Sequence, residues 1–433
     1  MTCQGSNVRL CAFSRAPLLA VLLSASALLV VWLSATSNIL FSDTSIPTNT
    51  RQLFSHGWGY VGDLDTTSTS TSIFLSSSNA TIIDDDRLFE GENATLESVG
   101  ITGESDEGKW YLGLDDWWNR VDYQGSKVSA VDMHLHTGLF QDVPPSFQDQ
   151  ILGNIPFPLP TVIATPLFNV ILSGYGICAQ LVCAKIRRGV IFAVYAPTTT
   201  GLTTNQFVHG EIQKLPKKLW GLASLPVNDW DKNEERALNL LRKYLALPEF
   251  IGIKLAHPHM LINLNDARFY SIYDVAREFN KPVYCHTGKT LSTGSLTNKE
   301  ATHPAFLEEA IQLYPDVLFI LGHVGNGADF DGLEDPIEAC FRLTLTYSNV
   351  YMEVSAVGSA SNDPNGDKLF GIFRDAKQLE LIRRLIYGSD GPQSPGFVLG
   401  YLERTIHAME RANYTDQEAE RVLNDNFQSV FWV

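Results

Sequence analysis

Two histidines one residue apart, His134 and His136 in Val131-Asp-Met-His-Leu-His-Thr-Gly138, are the first residues whose type and spacing could do chemistry. On a strand, positions 132, 134 and 136 fall on one face, so both imidazoles can reach one point. Two converging neutral imidazole nitrogens supply half of a zinc site. The motif alone is short, and it gains weight from the downstream part of the chain. Four later apolar runs also end on polar groups: Gly252-Ile-Lys-Leu-Ala-His-Pro-His259, Val283-Tyr-Cys-His-Thr-Gly288, Ile320-Leu-Gly-His-Val-Gly325 and Ile386-Tyr-Gly-Ser-Asp-Gly-Pro392. Six of the ten histidines stand at such ends, which scattered structural histidines would not readily produce. The clustering predicts a metal site.

Such residues must be placed by something regular, and the sequence supplies it. After the first run, strands are predicted at 190–195, 219–225, 250–255, 282–285, 317–321, 350–354 and 385–387. Amphipathic helical patterns lie between them, for example at 234–245, 267–279, 305–313 and 337–345. Eight strand-then-helix units predict an α/β protein with a closed parallel (β/α)8 TIM barrel rather than an open doubly wound sheet. Catalytic groups in such barrels sit at the C-terminal strand ends, where these residues fall. The connection at 141–189 is proline-rich and irregular, and two more helices at 397–412 and 416–431 close the chain.

The ordered set Asp132-x-His-x-His136, Gly252-Ile-Lys254, His286-Thr-Gly288, Gly322-His323, Val350-Tyr-Met-Glu-Val354 and Tyr387-Gly-Ser-Asp390 resembles the amidohydrolase superfamily. It is most similar to the amidohydrolase-related branch that includes aminocarboxymuconate-semialdehyde decarboxylase. The closing Asn424-Asp-Asn-Phe-Gln-Ser-Val-Phe431 is similar to that branch's final helix, and the resemblance spans roughly residues 128–431. It implies that His134, His136, His286 and Asp390 hold one divalent metal, zinc by preference, with a second if Lys254 is carboxylated. His323 would act on protons or polarise a substrate oxygen, and Asp132 would orient the ligands from behind. Three nitrogens and one carboxylate leave a position for water, whose pKa the metal lowers towards about 7. The chain departs from the branch pattern at Ala256, which stands between Lys254-Leu and His257-Pro.

This reading predicts a metal-dependent hydrolase of a small-molecule amide, lactone or ester, with His323 or Asp390 moving the proton and Lys254 or His257 holding a substrate carboxylate. The alternatives are a decarboxylase on the same scaffold and a catalytically silent barrel used for binding. The formal charge of −16 disfavours nucleic acid, which requires a basic surface.

Three segments are expected. Residues 1–36 hold an apolar run at 16–35 behind Arg9 and Arg15, a membrane anchor or a signal peptide that directs the chain into the secretory pathway. Residues 37–104 form a Ser/Thr-rich stalk, and 105–433 the barrel, with an aromatic lead-in at 109–119. The sequons at Asn79, Asn93 and Asn413 fit that route. Cys178, Cys183, Cys285 and Cys340 allow two disulfides or free thiols.

Overall fold

The computed structural model describes residues 119–153, 159–289 and 298–431. The anchor or signal segment, the stalk, most of the aromatic lead-in and the sequons at Asn79 and Asn93 lie outside the described residues.

Eight strands form one parallel sheet in sequence order: β1 (Val131–His136), β2 (Arg188–Phe192), β3 (Leu219–Ala223), β4 (Phe250–Leu255), β5 (Val283–His286), β6 (Phe319–Gly322), β7 (Val350–Glu353) and β8 (Leu385–Ile386). Most are nearly continuous apolar runs, as strands covered on both faces must be, whereas β1 interleaves Val131, Met133 and Leu135 with Asp132, His134 and His136. The last strand returns to the first: Met133 N donates to Tyr387 O at 3.2 Å, Asp390 N to His134 O at 3.0 Å and His136 N to Gly391 O at 2.6 Å. The predicted barrel is therefore present, and these closing bonds place the Asp390 segment against both histidines.

Val131, Met133, Val190, Phe192, Leu222, Ile251, Ile320 and Ile386 fill the interior, joined by Phe427, Val430 and Phe431 of the final helix, Asn426–Phe431. A larger apolar layer lies between strands and outer helices. The helix Trp230–Leu245 shows why it docks there. Ala237, Leu238, Leu241 and Leu245 recur at helical spacing and are buried, while Asp231 near its start and Arg242 and Lys243 near its end complement the dipole. The segment expected to be one helix at 416–431 is interrupted. Thr415 starts it with a capping box, a π-turn follows at Arg421–Asp425, and Tyr387 N donates to Val422 O there, tying β8 to this end.

The irregular stretch between β1 and β2 contains the helices Pro145–Gly153, Thr161–Ile171 and Gly174–Cys183. Ser173 caps the last of these by accepting from Gly176 N at 3.1 Å. A satellite core forms here around Phe140, Ala164 and Phe168, with the two phenylalanine rings stacked at 4.7 Å. After β2 a short hairpin pairs Val194–Ala196 with Gly201–Thr203. No single helix among the described residues is long and apolar enough to cross a membrane. The thiols of Cys178, Cys183, Cys285 and Cys340 are free, and Asn413 is exposed.

Candidate metal centre at the strand ends

The chemistry starts on β1. A register shift between Asp132 and Leu135 breaks strict alternation, so Val131 and Met133 pack inside while Leu135 joins the outer layer. His134 and His136 then turn together towards β8. His134 Nε2 lies 3.2 Å from His136 Nε2, and both lie close to one oxygen of Asp390, at 3.1 and 3.0 Å from Oδ1. These ligand atoms form a triangle with edges of 3.0–3.2 Å. Three N and O donors sharing one ion at about 2.0–2.2 Å are separated by about this much. Asp390 presents its carboxylate, and His323 after β6 its imidazole, from left-handed backbone (φ 68° and 60°). Such conformations cost a non-glycine residue on the order of 1 kcal/mol or more and concentrate at functional sites.

Behind this triangle is a buried polar layer. His134 Nδ1 is surrounded by Tyr284 Oη at 2.9 Å, Ser355 Oγ at 3.0 Å and Glu353 Oε2 at 3.4 Å. Tyr284 donates to Glu353 Oε2 at 2.9 Å, and Ser355 N donates to Glu353 Oε1 at 2.9 Å. Three oxygens around Nδ1 favour the tautomer with its proton there, which leaves the Nε2 lone pair directed at the triangle. Burial alone would raise the Glu353 carboxyl, but the His134 imidazole beside it holds it below its usual range. Burial likewise opposes ionisation of Asp390, and the His134 and His136 imidazoles outweigh it, holding the carboxyl well below the ordinary carboxylate value.

Two glycines make this layer fit. A Cβ on Gly322 would fall 2.0 Å from Tyr284 Oη, and one on Gly388 would fall 2.2 Å from Glu353 Oε1 and 2.7 Å from His134 Cβ. The glycines of Gly322-His323 and Tyr387-Gly-Ser-Asp390 thus clear the space through which Tyr284 and Glu353 reach His134.

The other expected residues are distributed less simply. His286 does not join the group formed by His134, His136 and Asp390, whose ligand atoms all lie within 4.8 Å of one another. Its Nδ1 lies 3.2 Å from His323 Nε2, while its buried Nε2 has no hydrogen-bond partner among the described residues and is available to ligate. Burial and the neighbouring His323 push its pKa well down, so it is a neutral donor. His323 is buried, is also neutral with a pKa pushed down to about 4, and has Nδ1 2.9 Å from Ser355 Oγ. Lys254 on β4 lines the cavity above these residues. Its Nζ lies 3.9 Å from the Tyr284 ring centre and 4.6 Å from that of Phe192, without a hydrogen-bond partner among the described residues, and burial lowers its pKa to about 7.

Two expectations need correction. His257 does not line this cavity; His259 does, edge-on to His286 at 4.7 Å between ring centres. The chain turns into the helix His257–Met260 directly after β4, and residues two apart on a helix point in nearly opposite directions. Asp132, expected to orient the ligands, instead accepts from the backbone of Ser389 at 2.9 Å and His134 at 3.1 Å, lacing β1 to β8. Glu353, Tyr284 and Ser355 do the orienting. Of these only Glu353 gave a sequence signal, as an acid in the apolar run Val350-Tyr-Met-Glu-Val354.

The donor set therefore fits a divalent cation: a tight triangle of two imidazoles and a carboxylate, an unpaired nitrogen on His286, and a carboxylate behind His134. Residues 186–429 match the amidohydrolase family model, more than half of the chain. The chain belongs to the amidohydrolase family. That match begins after β1, so the placing of His134 and His136 rests on their own sequence and geometry.

An uncharacterized TIM-barrel protein from Bordetella bronchiseptica superposes with a TM-score of 0.51 at 15% identity, covering 70% of this chain and 98% of that one. The 5-carboxyvanillate decarboxylase of Novosphingobium aromaticivorans, complexed with manganese and a nitrobenzoic acid, gives 0.50 at 14% identity, covering 73% and 99%. A probable 2-pyrone-4,6-dicarboxylic acid hydrolase from Acinetobacter baumannii gives 0.48 at 17% identity, covering 70% and 100%. Identities this low support the fold alone. The search of curated proteins returned no match.

Proposed function

We propose that this amidohydrolase is a metal-dependent hydrolase of a small molecule bearing an amide, lactone or ester carbonyl. The observation that carries the reading is the triangle of His134 Nε2, His136 Nε2 and Asp390 Oδ1 at the floor of a cavity of about 270 Å³. A pocket just below the usual range of about 300–1,000 Å³ suits a small molecule rather than a polymer.

His134, His136 and Asp390 would hold the ion, with the free nitrogen of His286 as the fourth donor, and zinc is the ion this mixed nitrogen and oxygen set suits best. A bound divalent ion there supplies Lewis acidity, lowering the pKa of water and polarising a carbonyl oxygen. The chain's own residues do the rest. Glu353, Tyr284 and Ser355 hold His134 in one tautomer. Asp390, ionised and facing the cavity, accepts a proton from the attacking water and returns it to the leaving group, with neutral His323 beside it as the second proton carrier. Lys254 offers its unpartnered ammonium to a substrate carboxylate.

That same lysine supports a second reading. A carboxylate drawn against Lys254 between two aromatic rings is largely stripped of water, an environment that favours loss of carbon dioxide. A panel of lactones, N-acyl compounds and unsaturated or aromatic carboxylic acids, followed for acid release and for carbon dioxide, separates the two. Hydrolysis is expected, with oxygen from labelled water appearing in the product. Carbon dioxide release without that label would assign the decarboxylase instead.

We further propose that the catalytic domain enters the secretory pathway behind residues 16–35 and remains single-pass membrane-anchored or is secreted. Expression in a eukaryotic secretory host should give a product that shrinks on deglycosylation, mostly through Asn79 and Asn93. Retention in membranes after alkaline washing distinguishes an anchor from a cleaved signal peptide.

A further inference from the structure

We propose that the substrate carries an apolar alkyl or aryl arm on its reacting carbonyl, and that the insertion between β1 and β2 selects it. The proposal rests on the hydrolytic reading above for the identity of the carbonyl, but the arm site stands on its own geometry. The cavity has two unlike halves. Its floor holds His136, Lys254, His259, His286, His323 and Asp390. Its wall is Leu139, Phe147, Ile151, Phe168, Leu172 and Leu202, from the insertion and the hairpin after β2.

Three features of the wall point to a ligand. First, Leu139, Phe147, Ile151, Leu172 and Leu202 are only half-buried, unlike the apolar side chains of the barrel interior. They stand around a satellite core in which, among the described residues, Phe140, Ala164 and Phe168 are buried, and their inner faces line the cavity. Second, residues 150–184 contain no charged side chain, so most of the insertion has nothing with which to pair an ionic arm. The charged residue that the insertion contributes to the lining is Asp142, which is exposed. Third, the wall is tied to the floor by hydrogen bonds. Thr137, directly after His136, donates to Leu172 O at 2.7 Å, and Thr203 donates to Thr137 O at 3.0 Å. The apolar wall is thereby held at a fixed offset from the metal-ligand triangle. An arm placed along it would leave the carbonyl at the floor.

Binding of straight-chain carboxylates, the acid halves such substrates would release, tests this without requiring turnover. Calorimetric titration of the purified protein with acetate, butyrate, hexanoate and octanoate should show affinity rising about four-fold per methylene until the small cavity is full. The variants Phe147→Ala and Ile151→Asn should each cut the hexanoate-to-acetate ratio at least five-fold, and Phe147→Leu should restore most of it. The same series as acyl esters and anilides should show the same rise in kcat/KM. Affinity that does not change with chain length in the wild type would overturn the proposal, as would a rise that both variants leave intact. A chain-length dependence in binding with no hydrolysis of any ester, amide or lactone supports the arm site while removing the hydrolytic reading.

Discussion

At the ends of β1 and β7, His134, Glu353 and Ser355 are buried and every polar side-chain atom among them has a partner, most within 3.2 Å. Further along the chain from His134, the described residues of the insertion between β1 and β2 bury three apolar side chains in its own core and leave others half-open towards the cavity. The two regions meet in one pocket with opposite physics. Buried polar networks are costly when incomplete, so the floor tolerates one arrangement. An apolar wall loses only contact area when it shifts, so it can fit related arms and open more readily than the barrel. Chemistry is fixed by the first region and selectivity by the second.

The hardest way to break that contrast is to remove the floor's reason for existing. The double variant His134→Ala, His136→Ala should lose bound metal entirely and take activity to background. Elemental analysis of wild type purified without chelator should give about one zinc per chain. An active wild type without metal would end the metal-dependent reading, and two ions per chain would make Lys254 a bridging ligand.

A smaller blow falls on the layer behind. Glu353→Gln keeps shape and removes the charge facing His134, and loss of such a partner typically costs about 10–100-fold in metal affinity. Competition with a chromophoric chelator measures it. An unchanged affinity would mean that Tyr284 and Ser355 alone orient the imidazole.

Legibility from the sequence divides along the same line. Histidine and aspartate at the ends of apolar runs are conspicuous, and the strand-helix rhythm that ordered them named the barrel. Glu353 was visible as an acid in an apolar run, but its role depends on contact with His134, 219 positions earlier in the chain, which no local pattern encodes. The motif does not say whether His257 or His259 faces the cavity, because one tight helical turn after Ala256 decides it. Asp132 was misassigned because a register shift interrupts the alternation that put it on the histidine face. The insertion had no sustained period to read, so its helices and its wall emerged only from the three-dimensional arrangement.

Lys254, like the Nε2 of His286, is an exception inside the floor, and it gives the subtlest test. Its buried Nζ has no hydrogen-bond partner among the described residues, and burial brings its pKa from 10.5 to about 7. Between those values the unfolded chain binds a proton that the folded chain does not, so stability should rise with pH across that window, by at most about 1.4 kcal/mol per pH unit. Below pH 7 both states are protonated and the cost of the buried charge is constant. Lys254→Met, similar in length and uncharged, should flatten this slope and leave the variant more stable than wild type near pH 7. Urea midpoints of metal-free protein at about pH 7, 8 and 9 read it directly. Equal slopes in the two proteins would mean that Lys254 keeps its charge in the folded state, held by Asp390 and Glu353, and that the floor is as fully compensated at Lys254 as it is at His134.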